Sequence, residues 1–171
     1  MERVRLVELS DAECEEFIGA DIADYAEYAK ERAEGEPASI ALAVERARAE
    51  FEPRLRSEHA VADAKGHHRW SALDADGSVV GWLWVMPARE GMPTDSAYLY
   101  QILVKPVRRR QGYGRAMLAA LEDSLSADGM AEVRLHVFDT NHRAKALYDE
   151  AGYTFVKSLA GMSELRKQFG R

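Results

Sequence analysis

The segment from Ile102 to Arg115 constrains the chain more than any other. Ile102-Leu103-Val104 closes an apolar run with the bias of a buried strand. Pro106 cannot continue a hydrogen-bonded ladder. A basic turn follows, Arg108-Arg109-Arg110-Gln111-Gly112-Tyr113-Gly114-Arg115, and then a helical pattern with Met117, Leu121 and Leu125 on one side. A strand that feeds a helix through such a turn belongs to an α/β domain. It is also an anion site in outline. The first amides of a helix have no intrahelical partner, and the helix dipole favours negative charge there. Gly112 and Gly114 carry no Cβ to hold a phosphate off the backbone, and arginines add charge-assisted hydrogen bonds. The chemistry expected is pyrophosphate binding.

Two familiar phosphate loops do not fit. A dinucleotide fingerprint needs a third glycine three residues after Gly114, where Met117 stands. A Walker loop needs Gly-Lys followed by Ser or Thr, which the chain lacks.

The rest of the chain reads as further strands and helices. Arg3 to Leu9 is a short first strand. Ser10 or Asp11 then caps a helix with Ile18, Ile22, Tyr25 and Ala29 at helical spacing, stopped by Gly35-Glu36-Pro37. A second stripe carries Ile40, Val44, Ala47, Phe51 and Leu55, and Pro53 is expected to end or kink it near Phe51. His67 to Ala75 and Val79 to Met86 are strands about an Asp76-Gly77 turn. In the second, Val80, Trp82, Trp84 and Met86 are expected on one face and Val79, Leu83 and Val85 on the other, so it is a central strand covered on both sides. Ala97 to Val104 is a strand with Tyr98, Tyr100, Ile102 and Val104 expected on one side. Gly112 to Leu125 is a helix ended by Gly129, and Val133 to Phe138 is a strand. Ala144, Leu147, Tyr148 and Ala151 form a helical stripe closed by Gly152, and Tyr153 to Lys157 and Met162 to Lys167 are the last strands. No linker or repeat interrupts this order, so residues 1–171 are expected to form one α/β domain.

Composition narrows the function classes. Hydrophobic residues make up 47% and charged residues 30% of the 171, an ordinary globular balance. Cys14 is the single cysteine, which excludes a disulfide framework and a cysteine-built zinc site, and no metal is expected. No apolar run is long enough for a membrane helix, and no apolar segment follows Met1-Glu2-Arg3 as in a secretory leader. A reduced, cytoplasmic protein is expected. The net charge of −6 argues against nucleic-acid binding. The carboxylates crowded between Asp11 and Glu36 read as a solvated face. His67 and His68 read as strand-edge residues, His59 as solvated, and Trp82 and Trp84 as core.

A second motif lies downstream: Asn141, Ala144, Leu147-Tyr148, then Gly152-Tyr153. Together with Arg109, Gly112 and Gly114, which fill a Q/R-x-x-G-x-G/A pattern after the fourth strand, it resembles the GNAT superfamily of acyl-CoA-dependent N-acetyltransferases. The likeness runs from about Trp70 to Lys167 and points to uncharacterised bacterial members. The helical N-terminal part matches that family's substrate cap by order alone. The fold implied is a mixed, mostly antiparallel sheet of about seven strands, flanked by about four helices and splayed between the fourth and fifth strands.

The resemblance also implies roles. Ile102, Leu103 and Val104 would pair with the pantetheine arm of acetyl-CoA as an added strand, and a backbone N–H near Leu103 would stabilise the thioester oxyanion. Arg109, Arg110, Gln111, Gly112, Tyr113, Gly114 and Arg115 would hold the pyrophosphate, and Asn141 would touch the cofactor arm. Tyr148 would protonate the departing thiolate. The general base stays open: the fourth strand lacks a carboxylate, Asp95 and Glu90 lie at its mouth, and a water chain ending on a tyrosine or a carbonyl serves equally. His136 and His142 flank the splay, and His142 follows Asn141. Cys14, in the first helix, is not a nucleophile.

The function expected is acetyl transfer from acetyl-CoA to a primary amine of a small molecule or peptide, without nucleic acid or membrane; a homodimer is a possible assembly. The alternatives are a non-catalytic acyl-CoA-binding or regulatory module and a nucleotide-binding interaction protein.

Overall fold

The computed structural model describes residues 4–170. The described residues divide into two compact units, one of residues 9–65 and one of residues 4–8 and 66–170.

The smaller unit holds two helices, α1 (Asp11–Arg32) and α2 (Pro37–Val61). Ser10 caps α1 in a capping box: its hydroxyl accepts from the Glu13 amide, and the Glu13 carboxylate accepts from the Ser10 amide. Pro37 opens α2, where its missing N–H costs nothing. Tyr25 stacks on Phe51 at 4.2 Å between centroids, and Arg56 pairs with Glu15 at 3.0 Å. Three expectations change here. Pro53 does not end α2, which runs on to Val61. Proline removes one ladder bond, and the turns beyond it are anchored by buried Leu55 and His59. His59 is not solvated: it is buried, edge-on to Phe17 and 3.4 Å from Cys14 Sγ. Asp21 departs from the solvated acidic face and is buried as well.

The larger unit is built on a seven-stranded sheet: β1 (Arg5–Glu8), β2 (His68–Leu73), β3 (Val79–Pro87), β4 (Ser96–Val104), β5 (Glu132–Phe138), β6 (Thr154–Leu159) and β7 (Met162–Gln168). Their spatial order is β1-β2-β3-β4-β5-β7-β6, and β4 with β5 is the one parallel pair. Helices α3 (Tyr113–Ala127) and α4 (His142–Glu150) supply the crossovers. One core joins Met117, Leu118 and Leu121 of α3 and Tyr148 of α4 to Leu83, Val85, Leu99, Val133, Leu135, Val137 and Leu165 of the sheet. Among the described residues no helix is long and apolar enough to cross a membrane.

Two irregularities overturn simple alternation. The β2–β3 register shifts between Ala72 and Leu73, leaving Val80 as the extra residue, so Val80 joins Leu83 and Val85 in the core and not the Trp82 face. In the β3–β4 ladder Trp84 faces Gln101 and Val85 faces Leu99, so Tyr100 is an extra residue on β4. The bulge places Ile102 and Val104 with Leu99 and Ala97 against the core, while Tyr98 belongs to the opposite face. Gly81 permits a close crossing in the same region: a Cβ there would stand 2.3 Å from the Leu103 carbonyl oxygen and 3.0 Å from Met117.

Candidate active site where the sheet opens

The β4–β5 ladder holds from Ser96–Glu132 to Leu99–Leu135 and stops. Beyond it β4 runs from Tyr100 to Val104 paired only to β3, and β5 continues paired to β7. The Tyr100 bulge bends β4 at the point where the two strands part.

Strand parity decides which backbone groups face the opening. The Lys105 amide donates to Val80 O, so Lys105 and, two residues back, Leu103 direct their amides toward β3. The groups on the open side are those of Ile102 and Val104. Side chains meet them where a strand would: Gln101 Oε1 accepts the Ile102 N–H at 3.1 Å, and Arg109 Nε donates to Val104 O at 3.0 Å.

The basic turn leads from this edge into α3. Arg110 has φ 63 and Gly112 φ 86, both left-handed. Gly112 is the N-cap, without a side-chain cap, and the first intrahelical bond runs from the Ala116 amide to Gly112 O. The amides before Ala116 are the helix's unpaired first turn. Its glycines do different work. Nothing lies within 4 Å of a Cβ at Gly112, so its left-handed φ is what demands glycine. At Gly114 a Cβ would meet Leu147 at 3.2 Å, so this glycine lets α4 approach α3. Arg115 pairs with Glu150 at 2.6 Å, Arg108 with Asp74 at 3.4 Å, and Gln111 Nε2 donates to Val107 O. Tyr113 is buried in the core, and Arg110 is exposed.

The second motif sits on α4. Asn141 is its N-cap, with Oδ1 accepting the Ala144 amide at 3.1 Å, and His142 after it is exposed. Tyr148 is buried with its ring 5.4 Å from that of Tyr153. Burial pushes its phenol well above the ordinary tyrosine range, so it stays an O–H donor at neutral pH.

The opposite face of the sheet carries a polar cluster that sequence reading missed. Tyr98 Oη is 2.9 Å from His136 Nδ1, and His136 Nε2 is 3.3 Å from Glu164 Oε2. Arg134 bridges Glu164 and Glu132, and Ser96 Oγ donates to Glu132 at 3.0 Å. The signal was present in the alternation of Glu132, Arg134 and His136 with Val133, Leu135 and Val137. Nearby, Trp84 Nε1 donates to His67 Nδ1 at 3.2 Å and its ring meets Tyr100 edge-on at 4.9 Å, so His67 is more than a strand-edge residue. Asp95, by contrast, stands at the paired end of β4, five residues from Tyr100, roughly 16 Å at about 3.3 Å per residue. Glu90 is exposed in the loop before it.

Known proteins share both sequence and fold with this chain. The uncharacterised N-acetyltransferase YycN of Bacillus subtilis is 34% identical over 87 residues, covering 51% of this chain and 55% of YycN. The [ribosomal protein bS18]-alanine N-acetyltransferase of Escherichia coli K12 is 44% identical over 59 residues, covering 34% of this chain and 40% of that protein. The chain thus spans about half the length of the curated relatives it matches. The crystal structure of YycN superposes with a TM-score of 0.66 at 26% identity, covering 92% of this chain and 96% of that one. The PaiA N-acetyltransferase of Thermoplasma acidophilum, solved with coenzyme A, superposes with a TM-score of 0.69 at 17% identity, covering 97% and 99%. The profile of the acetyltransferase (GNAT) family matches residues 39–153, more than half of the sequence, and with the parted β4–β5 pair it settles the assignment: this chain belongs to the GNAT family.

Proposed function

We propose that the chain, as one N-acetyltransferase domain, transfers an acetyl group from acetyl-CoA to a primary amine of a small molecule or peptide. The observation that carries this reading is the strand edge of Ile102 and Val104, met by the side chains of Gln101 and Arg109 and leading through the basic turn into the first turn of α3. An elongated ligand with an amide-bearing arm and a pyrophosphate fits that sequence of groups, and coenzyme A has both. Its arm would take the place of the Gln101 side chain on Ile102. Its pyrophosphate would meet the amides from Gly112 to Arg115, with Arg109, Arg110 and Gln111 beside them. Asn141, fixed at the head of α4, leaves its amide NH2 to donate to the arm.

The chain's own groups supply the chemistry. The amides that parity turns to the open side, Ile102 and Val104 on either side of Leu103, are the oxyanion donors. Tyr148 gives its proton to the thiolate as the C–S bond breaks. An amine acceptor is supported by the relative named as a [ribosomal protein bS18]-alanine N-acetyltransferase.

The test is thiol release from acetyl-CoA across a panel of amines, with heat stabilisation by acetyl-CoA and CoA but not ATP as the binding control. Gly112→Val should abolish that stabilisation, because valine resists the left-handed backbone. Unchanged CoA affinity in this variant, or no release with any amine, would refute the reading.

A further inference from the structure

We propose that Tyr98, His136 and Glu164 form the path by which the acceptor amine loses its proton, an inference that rests on the transferase reading above. The three come from neighbouring strands β4, β5 and β7 and stand in line, at 2.9 Å and 3.3 Å. Their position is the apex of the opening: Leu99–Leu135 is the last pair of the β4–β5 ladder, with Tyr98 just before it and His136 just after. His136 and Glu164 are direct cross-strand partners on the face away from α3 and α4.

The line has a direction. Burial pushes the Glu164 carboxyl up, but bonds to His136 and Arg134 and the charge of Lys157 outweigh it and hold the group below its ordinary range. Glu164 is therefore a carboxylate and only accepts, so the imidazole nitrogen facing it carries the hydrogen. In the neutral imidazole Nδ1 then keeps its lone pair, and the Tyr98 O–H donates to it. Burial holds the Tyr98 phenol above its usual range, against the pull of Arg89, so it rests as O–H. The Arg89 guanidinium lies 4.6 Å from the Tyr98 ring centroid, and its charge disfavours a second cation beside the phenol. That favours the neutral, nucleophilic amine. Arg134 already ties Glu164 to Glu132, so the sheet has its ion pair without His136.

The step balances. An ammonium bonded to Tyr98 Oη gives it a proton as the phenol's own proton passes to His136 Nδ1. The imidazolium releases its Nε2 proton to water through a side chain that is 21% exposed, and exchange with water of the remaining Nδ1 proton for one on Nε2 restores the resting tautomer before the next turnover. The amine lone pair then forms the C–N bond, the C–S bond breaks, and the thiolate takes its proton from Tyr148. The second proton lost by nitrogen restores Tyr148. One acetyl group moves, and one thiol and one free proton appear.

The experiment compares Tyr98→Phe and His136→Gln with wild type on two acceptors: an amine found by the panel, and its fluorinated analogue, already largely neutral at assay pH. With the ordinary amine kcat should fall by about 10²–10⁴-fold. With the analogue it should fall far less, and acetyl-CoA affinity should stay unchanged. Equal losses on both acceptors would mean a structural role and overturn the relay. So would wild-type kcat in both variants. Should His136→Gln fail to fold, Tyr98→Phe keeps the ring and decides alone. If wild type acetylates no amine, the transferase reading falls and the relay with it. Nitrogen-15 NMR of the imidazole gives a check without turnover: a proton on Nε2 is expected, and one on Nδ1 overturns the proposal.

Discussion

Strand β5 serves two chemistries on its two faces. Val133, Leu135 and Val137 point to the α3–α4 core and are 0%, 1% and 5% exposed. Glu132, Arg134 and His136 alternate with them and join a network that reaches β4 and β7. The apolar face gains its energy from area removed from water, and every methylene there counts. Carboxylates and cations compensate one another across the polar face, where an ion pair's net worth is small but the loss of one partner is costly. A single seven-residue strand thus joins a rigid floor to a titratable wall.

The sharpest contrast should come from neighbouring substitutions. Leu135→Ala should cost about 2–5 kcal/mol of stability, since its cavity cannot fill from the sheet. In the same denaturant titration His136→Gln, whose amide can keep one of the two hydrogen bonds to Tyr98 and Glu164, should cost no more than about 1 kcal/mol for the loss of the other. Equal destabilisation would erase the distinction between the faces.

A middle-sized effect tests whether the apolar face only packs. Tyr148→Phe keeps the ring against Tyr153 but removes the hydroxyl. Turnover should fall by roughly 10–10³-fold, below the full general-acid range because a thiolate is already a fair leaving group. Acetyl-CoA affinity should hold, which separates rate from binding. Undiminished turnover would return Tyr148 to a packing role.

The smallest effect concerns acid. The folded carboxyl of Glu164 is held below the unfolded value of 4.5, so its stabilisation is present above that pH and is lost as pH falls through the folded value. Glu164→Gln should flatten the acid limb of stability measured below about pH 4.5 and leave its slope near neutrality unchanged. An acid limb identical to wild type would remove Glu164 from the wall's electrostatics.

Most of the fold was legible because periodicity reports burial. The α3 and α4 stripes and the succession of strands along the chain follow from it, whereas the opening was expected only through the family resemblance carried by Arg109, Gly112 and Gly114. The faces of β3 and β4 were not legible. Each carries one residue outside the alternation, Val80 and Tyr100, and register is settled by partner strands that a local window does not contain. Pro53 misled for a related reason: local propensity is overridden when the turns beyond are anchored by tertiary burial. The polar wall escaped because Glu132 and Glu164 lie 32 positions apart and meet only through Arg134. β4 and its mouth, with Asp95 and Glu90, hold the carboxylates near in sequence, whereas Glu132 and Glu164 stand one and two strands away.

The extra residue at Tyr100 carries one more consequence. Leu99 and Ile102 lie on the same face although three positions separate them. Omit Tyr100 and they become two apart, still facing the core, with no side chain reversed. What disappears is the bend, and a straight β4 could zip onward to β5 past Leu99–Leu135. A chain shorter by that one residue would keep its interior and lose its doorway. Evolution can therefore rewrite the letter at this position far more freely than it can strike it out.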